Sequence, residues 1–278
     1  MKNVNVVYCV DIQGIGSMQF HNQLICSIYS LKKNKKEDTN ITVYIIYGNI
    51  NNELMYSLLK LQDETFKIEM CKLPDHELNF LQQFTRHNPS SVARPWGGIV
   101  FARIFLPWYL PEFVERVVYI DSDTLVRKDI QNLYDTDLQK NPIGMVMGIV
   151  PEYGYNSGVI VFDLKMLRSM KNLKEDIIDH MKKYTRSYFL PDQTTINRFF
   201  AGKITPLDLK YNYPPAPGSL GRDPINLGNA VIWHFYNQGI KPIIFDDQGL
   251  SLVEWNNYIS DYYKSITNNK NNEVKNNE

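Results

Sequence analysis

The tightest constraint in this chain is the stretch Val117-Val118-Tyr119-Ile120-Asp121-Ser122-Asp123. Four strand-favouring apolar residues run without alternation into two carboxylates. A run with no polar side reads as a central strand buried on both faces, as in a parallel sheet. Side chains alternate along a strand, so Asp121 and Asp123 are expected on one side and Ser122 on the other. Carboxylates held that close repel unless a cation lies between them. At the carboxyl end of a strand in an open α/β sheet, the pair would lie in the ligand crevice. It reads as a site for a hard divalent cation, Mn²⁺ or Mg²⁺, bridging to a phosphorylated substrate. The competing reading is a plain turn after the strand, with Asp-Ser-Asp-Thr supplying an N-cap.

The residues upstream repeat the same grammar. Val4 to Val10 is an apolar run that delivers Asp11 at its tip, and Phe20, Leu24, Ile25, Ile28 and Leu31 then recur at helical spacing. Ile41 to Tyr47 is the next strand, Leu54, Leu58 and Leu61 mark a second helix, and Lys67 to Leu73 alternates as an edge strand does. The order β-α-β-α-β predicts an α/β fold with a parallel, doubly wound sheet and right-handed crossovers. Gly14-Ile15-Gly16 begins like a dinucleotide fingerprint, but Gln19 stands where the third glycine belongs. Asp11 either contacts a nucleotide or caps its own turn.

Further along, residues 74 to 100 are rich in Pro, Gly and Ser and read as a long loop. Phe101 to Leu110 reads as a helix, with Arg103 either on the surface or reaching a pyrophosphate. Asp129 is expected to cap a short helix, and Ile143 to Val150 to form a strand. Asn156-Ser157-Gly158 introduces the apolar run Val159 to Phe162, with Asp163 beginning a helix. Asn156 is either a turn former or a hydrogen-bonding partner for a sugar. Leu173 to Tyr184 is amphipathic and is expected to cover a sheet face. Leu190-Pro191-Asp192-Gln193 opens a helix to Phe200, where Asp192 has an ordinary reading as an N-terminal charge. Residues 211 to 229 read as loop. Val231 to Trp233 is a short strand with His234 at its tip, either structural or a third metal ligand. Leu250 to Tyr263 reads as a closing helix, and the polar tail over 266–278 as disordered.

Composition excludes several classes. Thirty Lys+Arg offset thirty Asp+Glu, so no global field favours nucleic acid. The cluster Lys32, Lys33, Lys35 and Lys36 reads as a helix end, where cations complement the dipole. No apolar stretch is long enough to span a bilayer, and no secretory signal is evident, so a cytoplasmic location is expected. Cys9, Cys26 and Cys71 read as reduced residues of apolar segments, neither a disulfide frame nor a zinc site.

Asp121-Ser122-Asp123 after an apolar strand, Asn156-Ser157-Gly158, Asp192-Gln193 before Ile196-Asn197, and His234 followed by Lys241-Pro242 together resemble the family 8 retaining glycosyltransferases, which include glycogenin. The resemblance covers roughly residues 4 to 245. It implies a GT-A fold: one domain over 1–265, with a Rossmann-like nucleotide-binding half to about residue 123 and an acceptor-binding half beyond. It implies a UDP-sugar donor and Mn²⁺, with Mg²⁺ as the substitute. Asp121, Asp123 and His234 would hold the metal. Asp11 and the backbone at Cys9 and Val10 would contact the uridine, and Ser122 the ribose. Arg103 would lie near the sugar and phosphate, and Asn156, Asp192 and Gln193 would line the donor sugar. Lys241, with Gly239 beside it, would neutralise the departing β-phosphate. Two departures stand out. The segment from His234 to Lys241 is one residue longer than the family pattern. No carboxylate lies near Val146 to Val150, and Glu152 is out of register.

The resemblance implies transfer of a hexose, glucose in preference to galactose, to a saccharide or protein acceptor. Gln193 would occupy the far face of the sugar, with Asp192 as the alternative nucleophile. Eighteen tyrosines leave self-glucosylation open, with Tyr184, Tyr188 and Tyr211 in loop positions. A homodimer stays open as well. The alternatives are a UDP-sugar hydrolase and a non-catalytic nucleotide-sugar-binding module.

Overall fold

The computed structural model describes residues 2–12, 17–86, 97–185, 188–215, 228–236 and 256–265. Its centre is a seven-stranded sheet. The strands are β1 (Lys2–Val10), β2 (Thr39–Tyr47), β3 (Phe66–Lys72), β4 (Arg116–Ile120), β6 (Ile143–Met147), β7 (Tyr155–Asp163) and β8 (Ile204–Leu207), and β5 (Thr124–Val126) lies outside this sheet. Their spatial order is β3-β2-β1-β4-β7-β6-β8, and β5 pairs separately with β9 (Ile232–His234). All ladders of the large sheet are parallel except those of β7, which runs against both β4 and β6.

Strand alternation explains why the central runs carry no polar side. In β4, Val118 and Ile120 enter one hydrophobic cluster while Val117 and Tyr119 enter the other. In β7, Val159 and Val161 face the first cluster, and Ile160 and Phe162 the second. Helices α1 (Ser17–Asn34) and α2 (Asn52–Leu59) cover the first face through Leu24, Ile28, Leu54 and Leu58. Helices α3 (Asp75–Arg86), α6 (Leu164–Ser169), α7 (Leu173–Tyr184) and α8 (Pro191–Phe199) cover the second through Leu81, Leu167, Met181 and Ile196. The cationic end of α1 behaves as a helix end should: Lys32 pairs with Asp63 at 2.8 Å and Lys33 with Asp261.

Several expectations need correction. The stretch expected to be loop from residue 74 contains α3, because Pro74 precedes the helix and Leu78, Leu81 and Phe84 supply a buried stripe. The helix expected over Phe101 to Leu110 is a 3₁₀ segment, Gly98–Phe105, followed by the short α4 (Leu106–Tyr109). A Cβ on Gly98 would lie 2.3 Å from the Gln82 backbone nitrogen, so α3 sits directly on this segment. Strand β8 has no counterpart among the expected strands, because Pro206 hides it. Proline is tolerated there because β8 is an edge strand. Strand β6 stops at Met147, short of Val150, and Leu61 lies beyond the end of α2. Asp129 is not the cap of α5 (Gln131–Tyr134), whose N-cap is Ile130; it lies one residue earlier, and its carboxylate accepts from the Gln131 N–H at 2.9 Å. The closing helix is seen over 256–265. The residues expected to begin it (250–255), Gly14-Ile15-Gly16 and the tail over 266–278 lie outside the described residues.

Candidate functional site

The sheet order reverses between β1 and β4. The chain builds β1, β2 and β3 outward on one side, then returns to place β4 on the other. The β1–β4 ladder runs at Val6–Val118 and Val7–Tyr119, below the strand tips. This is a topological switch point, where open α/β sheets form their ligand crevice at the carboxyl ends of the strands. Because β7 is antiparallel, its amino end, with Asn156 and Ser157, reaches the same edge as Asp121.

Asp121 and Asp123 converge for a different reason than strand alternation. Strand β4 ends at Ile120, and residues 121–123 form a turn into β5. Antiparallel pairing of β5 with β9 then sets Thr124 opposite His234. The turn is fixed at its backbone: Asp121 N–H donates to Gly158 O at 2.8 Å, the Thr124 hydroxyl to Asp121 O at 2.8 Å, and Phe235 N–H to Asp123 O at 2.9 Å. His234 Nε2 lies 3.2 Å from Asp123 Oδ1 and 3.6 Å from Asp121 Oδ2. One ligand atom from each of Asp121, Asp123 and His234 falls within a 4.8 Å cluster. His234 is 2% exposed, and its Nε2 has no hydrogen-bond partner among the described residues. A buried imidazole nitrogen facing two carboxylate oxygens is a donor set that could hold a divalent cation, and its chemistry fits one. Ser122 sits half-buried at the tip of the turn.

Arg103 organises the neighbouring carboxylates and is no surface residue. Its guanidinium donates to Val100 O at 2.9 Å and Ser157 O at 2.9 Å, and it stacks on the Tyr119 ring at 4.4 Å. It pairs with Asp121 Oδ1 at 3.0 Å and Asp192 Oδ2 at 3.6 Å. Burial opposes its charge, but Asp121 and the groups around it outweigh burial and hold its pKa above the ordinary value. Tyr119 donates its hydroxyl to the same Oδ1 of Asp121, leaving Oδ2 toward His234. Burial pushes the Asp192 carboxyl above the usual carboxylate range; Arg103 pulls it down and Asp121 adds to the rise.

Asn156, Gln193 and Asn212 form an amide network. Gln193 Oε1 accepts from Ser157 N–H at 3.3 Å and from Asn156 Nδ2 at 3.4 Å, and Gln193 Nε2 donates to Tyr153 O at 3.2 Å. Asn156 Oδ1 accepts from Asn212 Nδ2 at 2.8 Å, and Asn212 Oδ1 lies 2.8 Å from His234 Nδ1. Asn197 fixes the start of β7 by accepting from Tyr155 N–H at 2.7 Å and donating to Tyr155 O at 2.8 Å. Arg103, Asp121, Asp123, Asn156, Asp192, Gln193 and His234 are thus one connected constellation.

The remaining sequence candidates sit apart from that network. Asp11 Oδ1 accepts from Asn49 N–H at 2.8 Å and from its side-chain amide at 3.0 Å, which is the capping arrangement. Val10 buries its side chain in the core, and Cys9 is half-buried, with burial pushing its thiol up to about 12. Cys9, Cys26 and Cys71 form no disulfide with one another. Gly239 and Lys241 lie outside the described residues. Tyr188 and Tyr211 are buried rather than available on loops, and Tyr184, 40% exposed, is the last residue of α7 rather than part of a loop. Glu152 is exposed on the short turn Pro151–Tyr153. Sequence reasoning missed Asn212, Tyr119 and the contact role of Gly158. Only Gly158 carried a local signal, as the third residue of Asn-Ser-Gly.

The family description Glycosyl transferase family 8 matches residues 15–243. Glycosyltransferase GlyE of Streptococcus pneumoniae is 24% identical over 186 residues, covering 66% of this chain and 43% of the relative. The lipopolysaccharide 1,2-glucosyltransferase of Escherichia coli is 22% identical, covering 76% of this chain and 64% of the relative. The chain therefore spans less than two thirds of the length of these curated relatives. Among solved structures, the galactosyltransferase LgtC in complex with donor and acceptor sugar analogs superposes with TM-score 0.72 at 19% identity, covering 93% of this chain and 96% of that one. The GlyE crystal structure superposes with TM-score 0.70 at 21% identity, covering 92% and 60%. These likenesses give the fold as GT-A, a mostly parallel central sheet flanked by helices. With the family match covering most of its length, the chain belongs to glycosyl transferase family 8.

Proposed function

We propose that this chain is a Mn²⁺-dependent retaining glycosyltransferase that moves a hexose from a UDP-sugar, UDP-glucose in preference to UDP-galactose, to a saccharide or protein acceptor. The observation that carries the reading is the buried His234 Nε2, unpartnered among the described residues, facing Asp121 and Asp123 at the switch-point crevice. Asp121, Asp123 and His234 would hold the metal. When bound, Mn²⁺ or Mg²⁺ would stabilise the negative charge that develops on the leaving UDP.

The chain's own residues divide the remaining work. Arg103 and Tyr119 hold one oxygen of Asp121 and so aim the other at His234. Asp11, Ser122 and the backbone at Cys9 and Val10 would contact the nucleoside, and Lys241 would neutralise the β-phosphate. Asn156, Asp192 and Gln193 would line the donor sugar. The Gln193 amide is held at both ends, and an amide is a poor nucleophile. This favours front-face attack. The bond from the anomeric carbon to the phosphate oxygen breaks, the acceptor oxygen bonds to the same face, and the acceptor's proton passes to the departing phosphate. Asp192 is the second candidate, as a nucleophile on the far face. Self-glucosylation, if it occurs at one of the three tyrosines named, falls to Tyr184.

The test is release of UDP from a panel of UDP-sugars, followed by intact mass. UDP-glucose is expected to give the fastest release, and a mass increase in hexose steps would place an acceptor on the chain itself. Failure of every UDP-sugar to bind would contradict the reading.

A further inference from the structure

We infer that Asn212 is a positioning residue that sets the tautomer of His234 and links the candidate metal ligand to the sugar-lining amides. Backbone groups anchor the assignment, because their donors and acceptors are not in question. Gly158 N–H donates to Asn156 Oδ1 at 2.9 Å, so that atom is an oxygen. The Asn212 atom 2.8 Å from the same oxygen must then be the amide nitrogen, a donor. The other end of the Asn212 amide is therefore its oxygen, and it lies 2.8 Å from His234 Nδ1. That nitrogen must carry the proton and donate it. In the neutral ring this leaves the lone pair on Nε2, the atom that faces Asp121 and Asp123. The far end of the network is fixed the same way. Ser157 N–H donates to Gln193 Oε1, and Gln193 Nε2 donates to Tyr153 O. Asn156 and Gln193 are thus oriented directly by backbone groups, and Asn212 through Asn156. Asn212 is 2% exposed, so water cannot easily replace it.

The inference rests on the metal reading proposed above, and two substitutions separate its failure from that one. Mn²⁺ affinity is measured by the loss of the free-ion paramagnetic resonance signal, and UDP-glucose affinity by calorimetry. Asn212→Leu removes the acceptor for Nδ1–H and is expected to weaken Mn²⁺ binding by about 10–100-fold. Asn212→Asp keeps that acceptor and is expected to retain Mn²⁺ affinity to within less than about tenfold. It also sets an oxygen against Asn156 Oδ1, and so is expected to weaken UDP-glucose binding by about tenfold. The split between the two ligands is what a merely structural role would not produce. Wild-type Mn²⁺ affinity in Asn212→Leu, or parallel loss of both ligands in Asn212→Asp, would overturn the inference and leave the metal site standing. Absence of Mn²⁺ binding in the wild type would overturn both. Should Asn212→Leu not fold, Asn212→Asp decides alone.

Discussion

Gly158→Ala is expected to reduce turnover by about 100-fold or more and to weaken Mn²⁺ binding by about 10–100-fold. The His234 ring packs directly against Gly158. A Cβ there would sit 1.9 Å from His234 Cε1, 2.5 Å from Nδ1 and 2.8 Å from Nε2. The ring belongs to a short strand, is buried, and is held through Nδ1 by Asn212, so it cannot move aside without leaving Asp121 and Asp123. The backbone at Gly158 is also fixed, since it donates to Asn156 and accepts from Asp121 N–H. Overpacking alone costs about 1–3 kcal/mol, so lost stability must be told apart from lost chemistry. Gly144→Ala supplies the comparison. Its Cβ would meet Leu138 at 2.7 Å and Leu207 at 3.0 Å and none of Asp121, Asp123 and His234. It is expected to destabilise by less, since the Leu138 and Leu207 side-chain tips can turn aside, while keeping Mn²⁺ affinity. Equal Mn²⁺ affinity in the two variants would contradict the placement of His234.

Arg103→Met is expected to cost about 3–5 kcal/mol of stability at neutral pH, because it leaves buried carboxylates without their cation. Asp121 and Asp192 both pair with this guanidinium, and Ser157 O loses its donor. The pH dependence comes from Asp192, whose carboxyl burial already holds above the ordinary range while Arg103 pulls it down. Without Arg103 it rises further. The folded state then keeps a proton that the unfolded state has released, so between the two pKa values stability falls as pH rises. The deficit relative to wild type should be largest at neutral pH and should shrink as pH falls toward the unfolded carboxylate value of about 3.9. Urea unfolding of both proteins across pH reads this difference. A deficit that grows toward acid would contradict it.

How much of this was legible in the sequence depends on where each residue's partners lie. Strands β1, β2, β4 and β7 were readable because both of their faces are buried, which leaves unbroken apolar runs. Helix α3 and strand β8 were not, because Pro74 and Pro206 punctuate them. The first proline precedes an element, and the second sits on an edge strand, where proline is tolerated. The carboxylates were found for their chemistry, but alternation along one strand was the wrong cause. A turn and the β5–β9 pairing bring Asp121, Asp123 and His234 together, and a pairing between segments so far apart leaves no local signal. Asn212 was invisible for the same reason. Its partners are 22 and 56 residues away, and the stretch around it reads only as loop.

The most direct test of the central claim is Mn²⁺-dependent UDP release in protein stripped with a chelator. The wild type is expected to lose release on stripping and to recover it when Mn²⁺ is added back. Asp123→Ala is expected to stay inactive at the same Mn²⁺ concentration, by about 100-fold or more. Full release from stripped wild type, or recovery of Asp123→Ala by Mn²⁺ to the wild-type rate, would contradict the assignment of Asp121, Asp123 and His234 as the metal site.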